Sequence, residues 1–324
     1  MPQCRQKNGT ESLRRDGRCG YRSPPLQEAQ YAYRPPTNAR VSPVDFADIR
    51  SLVIVALFAE DQLLDQLVLK GGNAINLIYG YGSRSSLDID CSIDGDFANP
   101  DEIGHLLLRT LQGKFRERGH EVFDFNFLRR PSLQRPDVDD RWGGYAAEFK
   151  IIERAHLART QGSLEEMRRT ALEIGPRHQR TFRVDFSKYE FCGQKRQEEL
   201  QDYAIYVYTP EMLSLEKLRA ICQQMEEYSM QRNRTPRARD FYDIYVVLNE
   251  GKVDWAHQKC LELARSIFAA KDVPPRLIEL IPQYRDFHQQ DWPSVENSVS
   301  EKLGDFNSYV DFVIREAISY NPFG

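Results

Sequence analysis

The stretch from residue 70 to residue 94 decides the fold; it reads KGGNAINLIYGYGSRSSLDIDCSID. Two glycines stand near its start, a short helical pattern follows, and its end alternates between apolar and polar residues. Such alternation predicts a β-strand with one packed face and one polar face. The packed face would carry Leu87, Ile89, Cys91 and Ile93. The polar face would carry Ser86, Asp88, Asp90 and Ser92.

Two aspartates stand two residues apart on the polar face of this strand. Because side chains at that spacing point the same way, the carboxylates of Asp88 and Asp90 lie close together. Two like charges at short range resist ionisation, and a divalent cation relieves their repulsion. Mg²⁺, with Mn²⁺ as an alternative, prefers oxygen ligands and binds carboxylates together with substrate phosphates. The pair thus predicts a metal site, although an acidic pair without such context is usually only solvated.

A pair of glycines, Gly71 and Gly72, precedes the short helix that leads to the strand. Glycines at a helix start let a phosphate approach the backbone N–H groups, and the helix dipole favours its negative charge. Arg84 and Ser86, just before the aspartates, are suited to a triphosphate. The pattern predicts a nucleotide-binding segment, and its simpler alternative is a plain turn between two helices.

The rest of the chain divides into a mixed part and a helical part. Helical periodicity runs from about residue 45 to residue 71, and another helix is expected over 100–118. Further strands are predicted at 121–130, 145–153, 181–190 and 204–209. From residue 211 only helices are predicted, at 211–228, 236–249, 254–269, 275–289 and 295–318. We therefore predict an α+β fold with a polar arm over 1–42, an α/β domain over 43–209 and a helical domain over 210–324.

Composition narrows the class of protein. The 324 residues carry 44 Lys and Arg against 48 Asp and Glu, so any nucleic acid must be bound by a local basic patch. No stretch approaches the roughly 20 apolar residues that span a bilayer, and the N-terminus lacks the apolar segment of a secretory signal. The six cysteines form no closely spaced pair, which argues against a zinc site or a disulfide framework. A cytoplasmic protein without a membrane partner is predicted.

The residues around the aspartates resemble the first motif of the AbiEii/AbiGii toxin family, which belongs to the DNA polymerase β-like nucleotidyltransferase superfamily. The resemblance rests on Lys70–Ile75, Gly80 and Arg84–Asp90. The departures from the usual Thr, Leu and Phe of that motif are Asn73, Ile75 and Ser85. The resemblance implies a polymerase β-like domain with a mixed or antiparallel sheet, followed by helices that complete the active-site cleft.

Two later segments are similar to further motifs of the same family. TPEMLSLEKLRAI, at 209–221, is similar to a motif in which a helix after Thr-Pro supplies a lysine, here Lys217. RTPRARDFYDIYVVL, at 234–248, is similar to a motif with two aspartates, here Asp240 and Asp243, of which we expect Asp243 to be the structural one. The three motifs occur in the family's order between residues 70 and 248.

The resemblance implies a role for each matched residue. The implied catalytic residues are Asp88, Asp90, Lys217 and Asp240. The implied nucleotide-binding residues are Gly71, Gly72, Arg84, Ser86, Lys217 and Arg237. Enzymes of this superfamily commonly use a third carboxylate for the metal, and the candidate is Asp185, with Glu148 and Lys150 on the preceding strand as alternatives. A cluster of basic residues could hold RNA phosphates or be a solvated surface; it comprises Lys217, Arg219, Arg232, Arg234, Arg237 and Arg239.

The family also implies a function, a toxin of a type IV-like toxin–antitoxin pair or of a phage-defence system. Such an enzyme would transfer NMP from an NTP to RNA, most readily to the 3′ end of tRNA, and release pyrophosphate. A cognate antitoxin encoded nearby is the implied protein partner. The residues leave two alternatives open: transfer to a protein hydroxyl (AMPylation) or to a small molecule such as an aminoglycoside, and nucleotide binding without catalysis.

Overall fold

The computed structural model describes residues 46–84, 86–131, 142–174, 178–230 and 233–319. The predicted arm at 1–42 lies outside the described residues, as do Ser85 and Arg232. The described residues all belong to one compact unit that extends from residue 44 to residue 324. None of the described helices is long and apolar enough to cross a membrane.

A seven-stranded sheet forms the centre of this unit, with the strand order β3-β4-β5-β2-β1-β7-β6. Its strands are β1 Leu67–Lys70, β2 Ile89–Ile93, β3 His120–Arg130, β4 Gly144–Glu153, β5 Phe182–Ser187, β6 Arg196–Leu200 and β7 Tyr203–Val207. β2 runs parallel to β5 and antiparallel to β1, which in turn runs parallel to β7. The other three pairs are antiparallel, so the predicted α+β fold with a mixed sheet is confirmed.

The helices of the first part are α1 Phe46–Phe58, α2 Asp61–Leu64, α3 Gly71–Asn73 with a π-helical turn Ala74–Ile78, α4 Pro100–Glu117, α5 Arg154–Leu157 and α6 Leu164–Thr170. Those of the second part are α7 Pro210–Cys222, α8 Ala238–Glu250, α9 Gln258–Ala269, a 3-10 helix Pro275–Tyr284, α10 Arg285–Gln289, α11 Trp292–Glu296 and α12 Phe306–Ser319. The single helix predicted over 295–318 is two helices separated by a loop. The helix predicted over 275–289 is mostly 3-10, with Pro282 inside it.

The prediction of one helical stretch from about residue 45 to residue 71 is wrong at its end. Residues 67–70 form β1, in the interior of the sheet between β2 and β7. All four residues of β1 are buried, because neighbouring structure covers both faces of the strand. A strand buried on both faces shows an uninterrupted apolar run, and periodicity alone cannot distinguish it from a buried helix.

A strand that the sequence did not predict, β6, closes one edge of the sheet. Its sequence, RQEEL, lacks apolar alternation because much of the strand is exposed to solvent. At the interior of the unit, a single apolar cluster joins the two halves of the chain: Leu69 and Val207 from the sheet belong to it, and so do Met212 and Leu215 of α7. The division into two domains at residue 210 stays a prediction.

Candidate active site

The predicted carboxylates meet at the centre of the sheet. In the parallel pair of β2 and β5, Asp90 lies directly opposite Asp185. On the other side of β2, Lys70 is the register partner of Asp90. Asp88 lies immediately before β2 and is more exposed than Asp90. The strand order therefore brings together acids that are about 95 residues apart in sequence.

The electrostatics of this pair favour a bound cation. Burial raises the pKa of Asp90 to about 6; the Asp185 carboxylate adds to the rise, whereas Lys70 and Arg239 oppose it. Partial burial and the Asp185 carboxylate also raise the pKa of Asp88. Neither carboxylate accepts a hydrogen bond or forms an ion pair within the described part of the chain. Two carboxylates with unmet charge are the oxygen ligands that Mg²⁺ or Mn²⁺ prefers.

The third candidate carboxylate is held by an arginine. Arg183 donates from Nε to Asp185 Oδ2 at 2.8 Å and from Nη2 to Asp185 Oδ1 at 2.6 Å. Of the two alternatives, Glu148 accepts from both Arg183 and Arg130, and Lys150 forms an ion pair elsewhere. Within the described residues no group of three or more acidic, His or Cys side chains is arranged to hold a metal. Asp185 as the third ligand stays a prediction.

A hydrogen-bonded frame fixes the backbone at Asp88. Asn73 Nδ2 donates to the carbonyl oxygen of Asp88 at 2.7 Å, and Ser86 Oγ donates to the same oxygen at 3.2 Å. Arg50, on α1, donates to the carbonyl oxygen of Ser86 at 3.0 Å and to Asn73 Oδ1 at 3.3 Å. Sequence reasoning missed Arg50 and the role of Asn73. The only signal was that Asn73 replaces the threonine usual in the motif.

The glycine pair is required by close packing against the site. Gly71 has φ +72°, a conformation that favours glycine, and a Cβ added there would overlap Asp90 Oδ2. A Cβ added at Gly72 would lie 2.8 Å from Arg84 Nη2 and 2.8 Å from Ser86 Cβ. The missing side chains thus let the backbone lie against the aspartate and the arginine. Phosphate binding at these glycines stays a prediction.

A buried ion cluster joins α7, α8 and the loop before β2. Lys217 Nζ lies 3.1 Å from Asp240 Oδ1 and 2.7 Å from Asp243 Oδ2. Arg84 binds both oxygens of Asp243, at 2.9 and 2.8 Å. Arg237 Nη1 donates to Asp240 Oδ2 at 3.4 Å. Asp243 therefore anchors two cations, which agrees with the structural role expected for it, and Asp240 connects Lys217 with Arg237.

One polar cleft collects most of the predicted site. It is lined by Lys70, Gly71, Gly72, Arg84, Ser86, Asp90, Ser187, Glu216, Lys217, Arg237, Arg239 and Asp240. Asp88 and Asp185 do not line the cleft. The charge of Asp185 nevertheless raises the pKa of Asp88. Of the basic cluster, Arg234 is paired with Glu226 on the surface instead. The cleft thus has an acidic side at Asp90 and a cationic side.

A second buried ion cluster was not predicted from the sequence. Glu190 lies 3.4 Å from Lys70 Nζ, 2.9 Å from Arg219 Nη2 and 3.8 Å from Lys271 Nζ, and Glu216 pairs with Lys70 and Arg219 at 3.5 and 3.2 Å. Burial alone would raise the pKa of Glu190, but these cations lower it to about 2. Arg219, predicted as part of a basic surface, is in fact buried. Nothing in local sequence marks partners so far apart.

The chain is similar to several solved structures at low sequence identity. Two Helicobacter pylori proteins share 13% identity with the chain: JHP933 (TM-score 0.42, 84% of this chain and 88% of that one) and a protein proposed to be a nucleotidyltransferase (TM-score 0.46, 85% and 93%). An antigenic nucleotidyltransferase-like protein from Paracoccidioides brasiliensis shares 14% identity (TM-score 0.37, 78% and 94%). No curated protein matches the chain.

The family assignment rests on a match along most of the sequence. The α+β fold, with Asp90 lining a cleft that also contains Lys217, Arg237 and Arg239, suits the class of nucleotidyltransferases. Residues 53–312 match the family described as nucleotidyl transferase AbiEii toxin, type IV toxin–antitoxin system. The chain belongs to this family, and it is a nucleotidyltransferase.

Proposed function

We propose that this protein transfers NMP from an NTP to an RNA acceptor in a reaction that depends on Mg²⁺ or Mn²⁺. The 3′ end of tRNA is the acceptor that we propose. The observation that carries the proposal is the pair of carboxylates, Asp88 and Asp90, which form no ion pair with any described residue and lie beside a cleft that is rich in cations. Such a cleft suits a metal–triphosphate complex, in which the metal meets the acids and the phosphates meet the cations.

The donor set fits the metal. Asp88 and Asp90 would hold it, because their oxygens are hard ligands and their raised pKa values show that the charge of each is poorly compensated. A bound Mg²⁺ would activate the acceptor hydroxyl and stabilise the charge on the leaving pyrophosphate. Asp185 lies directly opposite Asp90 and is hydrogen-bonded to Arg183. It would become a third ligand once its carboxylate exchanged Arg183 for the metal.

The cationic side of the cleft would hold the triphosphate. Arg237 is partly exposed in the cleft, and Arg239 is close enough to both aspartates to lower the pKa of each. Lys217 and Arg84 are already paired with acids. Each would therefore contact the phosphates while it keeps its acidic partner. Ser86 would contribute its hydroxyl, and Gly71 and Gly72 their backbone N–H groups.

The transfer step is an in-line displacement. An acceptor hydroxyl oxygen forms a bond to the α-phosphorus, the bond from that phosphorus to the β-bridging oxygen breaks, and pyrophosphate leaves. The hydroxyl proton passes to solvent. Catalysis consists of positioning and electrostatic stabilisation, for which Asp88, Asp90, Lys217 and Asp240 are the residues that we propose.

The family description also supports a biological role. It names a type IV toxin–antitoxin system, so we propose that this chain acts as a toxin in the cytoplasm, in a toxin–antitoxin or phage-defence setting, and that a separately encoded antitoxin counteracts it. Interference with tRNA would be the toxic event. Growth arrest on expression, relieved by Asp88→Ala, is the expected phenotype.

The experiment is an incubation of the purified protein with Mg²⁺, each labelled NTP in turn and total tRNA, followed by a denaturing gel. We expect label on tRNA from one preferred nucleotide. Asp88→Ala should abolish the label without unfolding the chain, whereas the matched control Asp94→Ala, which removes an exposed acid just beyond β2, should retain it.

Each other outcome of this experiment has a meaning. Retained transfer by Asp88→Ala would overturn the proposed mechanism. Label on protein in place of tRNA would indicate AMPylation, and label on an added aminoglycoside would indicate a small-molecule acceptor. Nucleotide binding without any label would indicate a binding protein on a transferase scaffold.

A further inference from the structure

A second pocket opens beside the cleft and shares Lys70, Ser187, Glu216 and Arg237 with it. Arg130 and Trp142 from the β3–β4 side of the sheet extend this second pocket, and Arg219 and Lys271 extend it from the helical side. The sequence motifs do not account for it, because Trp142, Arg130 and Lys271 lie outside all of them. This second pocket therefore adjoins the cleft in which the nucleotide is proposed to bind.

Guanidinium groups with unused donors line this pocket, although each group is also paired with an acid. Among its lining residues, four buried arginine nitrogens have no hydrogen-bond partner within the described part of the chain: Nε of Arg130, Nε and Nη1 of Arg219, and Nε of Arg237. Arg219 is only 2% exposed, so water cannot freely satisfy its two donors. Buried donors nearly always have partners, and a cluster of unpaired ones at one pocket indicates a ligand that accepts hydrogen bonds. Guanidinium groups match the oxygens of a phosphate in particular.

The charge of the pocket points to the same ligand. Its cations are Lys70, Arg130, Arg219, Arg237 and Lys271, and its acids are Glu190 and Glu216. Burial lowers the pKa of Lys271 to about 8, and the neighbouring Arg219 and Lys70 contribute to the lowering against Glu190 and Glu216. The lining cations outnumber the lining acids, so the pocket suits an anionic ligand. A phosphodiester carries one negative charge and supplies acceptor oxygens as well.

An aromatic ring lies at the same pocket. Trp142 is half-buried, and its ring packs at a tilt against Tyr228, with centroids 6.1 Å apart. A flat aromatic side chain beside a cationic groove is the combination with which proteins bind single-stranded nucleic acid, since the base stacks and the phosphate pairs. A protein hydroxyl acceptor would use neither the stacking surface nor the unpaired guanidinium donors.

We propose that this second pocket binds the terminal nucleotide at the 3′ end of the RNA acceptor. Its phosphate contacts Arg130 and Arg219, and its base packs against Trp142. The terminal hydroxyl then enters the cleft past Lys70 and Ser187, toward Asp90. This inference rests on the proposed function for the acceptor hydroxyl, but the pocket can be tested without any transfer.

The first test measures binding alone. A short single-stranded oligoribonucleotide with a free 3′ end and a 5′ fluorescein is titrated with the protein, without metal or NTP, and its anisotropy is followed. Trp142→Ala should weaken binding about tenfold, since it removes one stacked base. Arg130→Ala should weaken it about fivefold and reduce its dependence on salt. Arg129→Ala is the matched control: it removes the same charge from the adjacent, exposed position on β3 and should change affinity less than about twofold.

Two further variants separate a lost contact from a damaged fold. Trp142→Phe keeps a flat ring and should bind RNA within about threefold of the wild type. Arg219→Lys keeps the buried charge but not the two unpaired donors, and should weaken binding. Circular dichroism and thermal melting confirm that each variant is folded. Equal affinity of the wild type, Trp142→Ala and Arg130→Ala would overturn the pocket assignment.

The second test uses the transfer reaction, with separate titrations of tRNA and of the preferred NTP. Trp142→Ala and Arg130→Ala should raise the KM for tRNA and leave the KM for NTP unchanged. A higher KM for NTP would show that the pocket belongs to the nucleotide, and would overturn the proposal. If the wild type binds the oligoribonucleotide through these residues but transfers nothing to RNA, the proposed function fails while the pocket assignment stands. If tRNA is labelled but the variants bind and react normally, only the pocket assignment fails.

Discussion

Asp243 holds two cations, Arg84 and Lys217, in the interior of the protein. Burial alone would raise the pKa of Asp243, but the charges and hydrogen bonds of these two side chains hold it well below its usual range. An acid with a lowered pKa in the folded state stabilises that state at any pH above the pKa in the unfolded chain. The pair of cations depends on this carboxylate, because both lie largely buried.

We expect Asp243→Asn to reduce the free energy of unfolding by about 3 kcal/mol at pH 7, because it leaves the buried Arg84 without its carboxylate partner and Lys217 with Asp240 alone. The contribution of the carboxylate is present above the unfolded-state pKa of 3.8 and is lost as pH falls below that value. Urea unfolding at pH 7 and pH 3 measures the difference. Asp311→Asn is the control; its ion pair with Arg285 is exposed and should contribute less than about 1 kcal/mol. An equal loss of unfolding free energy in the two variants would contradict the role of Asp243 as a buried anchor.

Asp90 shows the opposite shift, since its pKa is raised to about 6. Its charged form is therefore disfavoured in the folded protein, and the resulting destabilisation is absent below pH 3.8 and complete above pH 6. We expect Asp90→Asn, in EDTA, to be more stable than the wild type by about 2 kcal/mol at pH 8 and equal to it at pH 3.5. Urea unfolding across that range is the measurement. A difference in the free energy of unfolding that did not vary with pH would show that ionisation of Asp90 does not destabilise the folded protein.

At the scale of elements, the turn from β1 into α3 brings the backbone close to Asp90, one of the proposed metal ligands. Gly71 has φ +72°, and a Cβ there would overlap the carboxylate of Asp90. Gly119, between α4 and β3, has nearly the same φ of +74° but nothing within 4 Å of its added Cβ. The two glycines therefore share a positive φ and differ in what surrounds them.

We expect Gly71→Ala to destabilise the protein by about 2–4 kcal/mol, because backbone strain and overpacking act together. Gly119→Ala should cost only about 1 kcal/mol, from backbone strain alone. Displacement of Asp90 in Gly71→Ala should also lower transfer at least about a hundredfold, whereas Gly119→Ala should keep its activity. Thermal melting and the labelled-tRNA gel measure both effects. Similar behaviour of the two variants would show that the site tolerates movement of this backbone.

At the scale of the whole molecule, a ligand bound in the cleft should stabilise the fold, because residues of the sheet, α7 and α8 all line the cleft. A ligand that binds only the folded state at about a hundred times its Kd stabilises that state by about 2.7 kcal/mol. We expect saturating Mg²⁺ with a non-reacting NTP analogue to raise the Tm by about 5 °C. The double variant Asp88→Asn/Asp90→Asn should lose most of this rise. An undiminished rise in that variant would place the metal and nucleotide elsewhere.

Sequence by itself determined the features that depend on local periodicity. The alternation at 86–93 predicted the strand that carries Asp90, and the helical spacing of apolar residues predicted α4, α7 and α8. The order of the three motifs indicated the family, which the match over 53–312 confirms. Local patterns suffice for these features because a helix or a strand with one polar face repeats its contacts at a short, fixed interval.

Only the tertiary structure decided which distant residues meet. It placed 67–70 in a central strand, although a run of three buried apolar residues followed by a lysine is compatible with either a helix or a strand. It also paired Lys70 with Glu190, 120 positions away, and buried the Arg219 side chain, which had seemed a surface charge, in the same ion cluster. Such contacts arise when strands pair across the sheet and helices pack over it. The two members of a buried ion pair can lie at any separation in the sequence, so no repeating pattern along the chain predicts them.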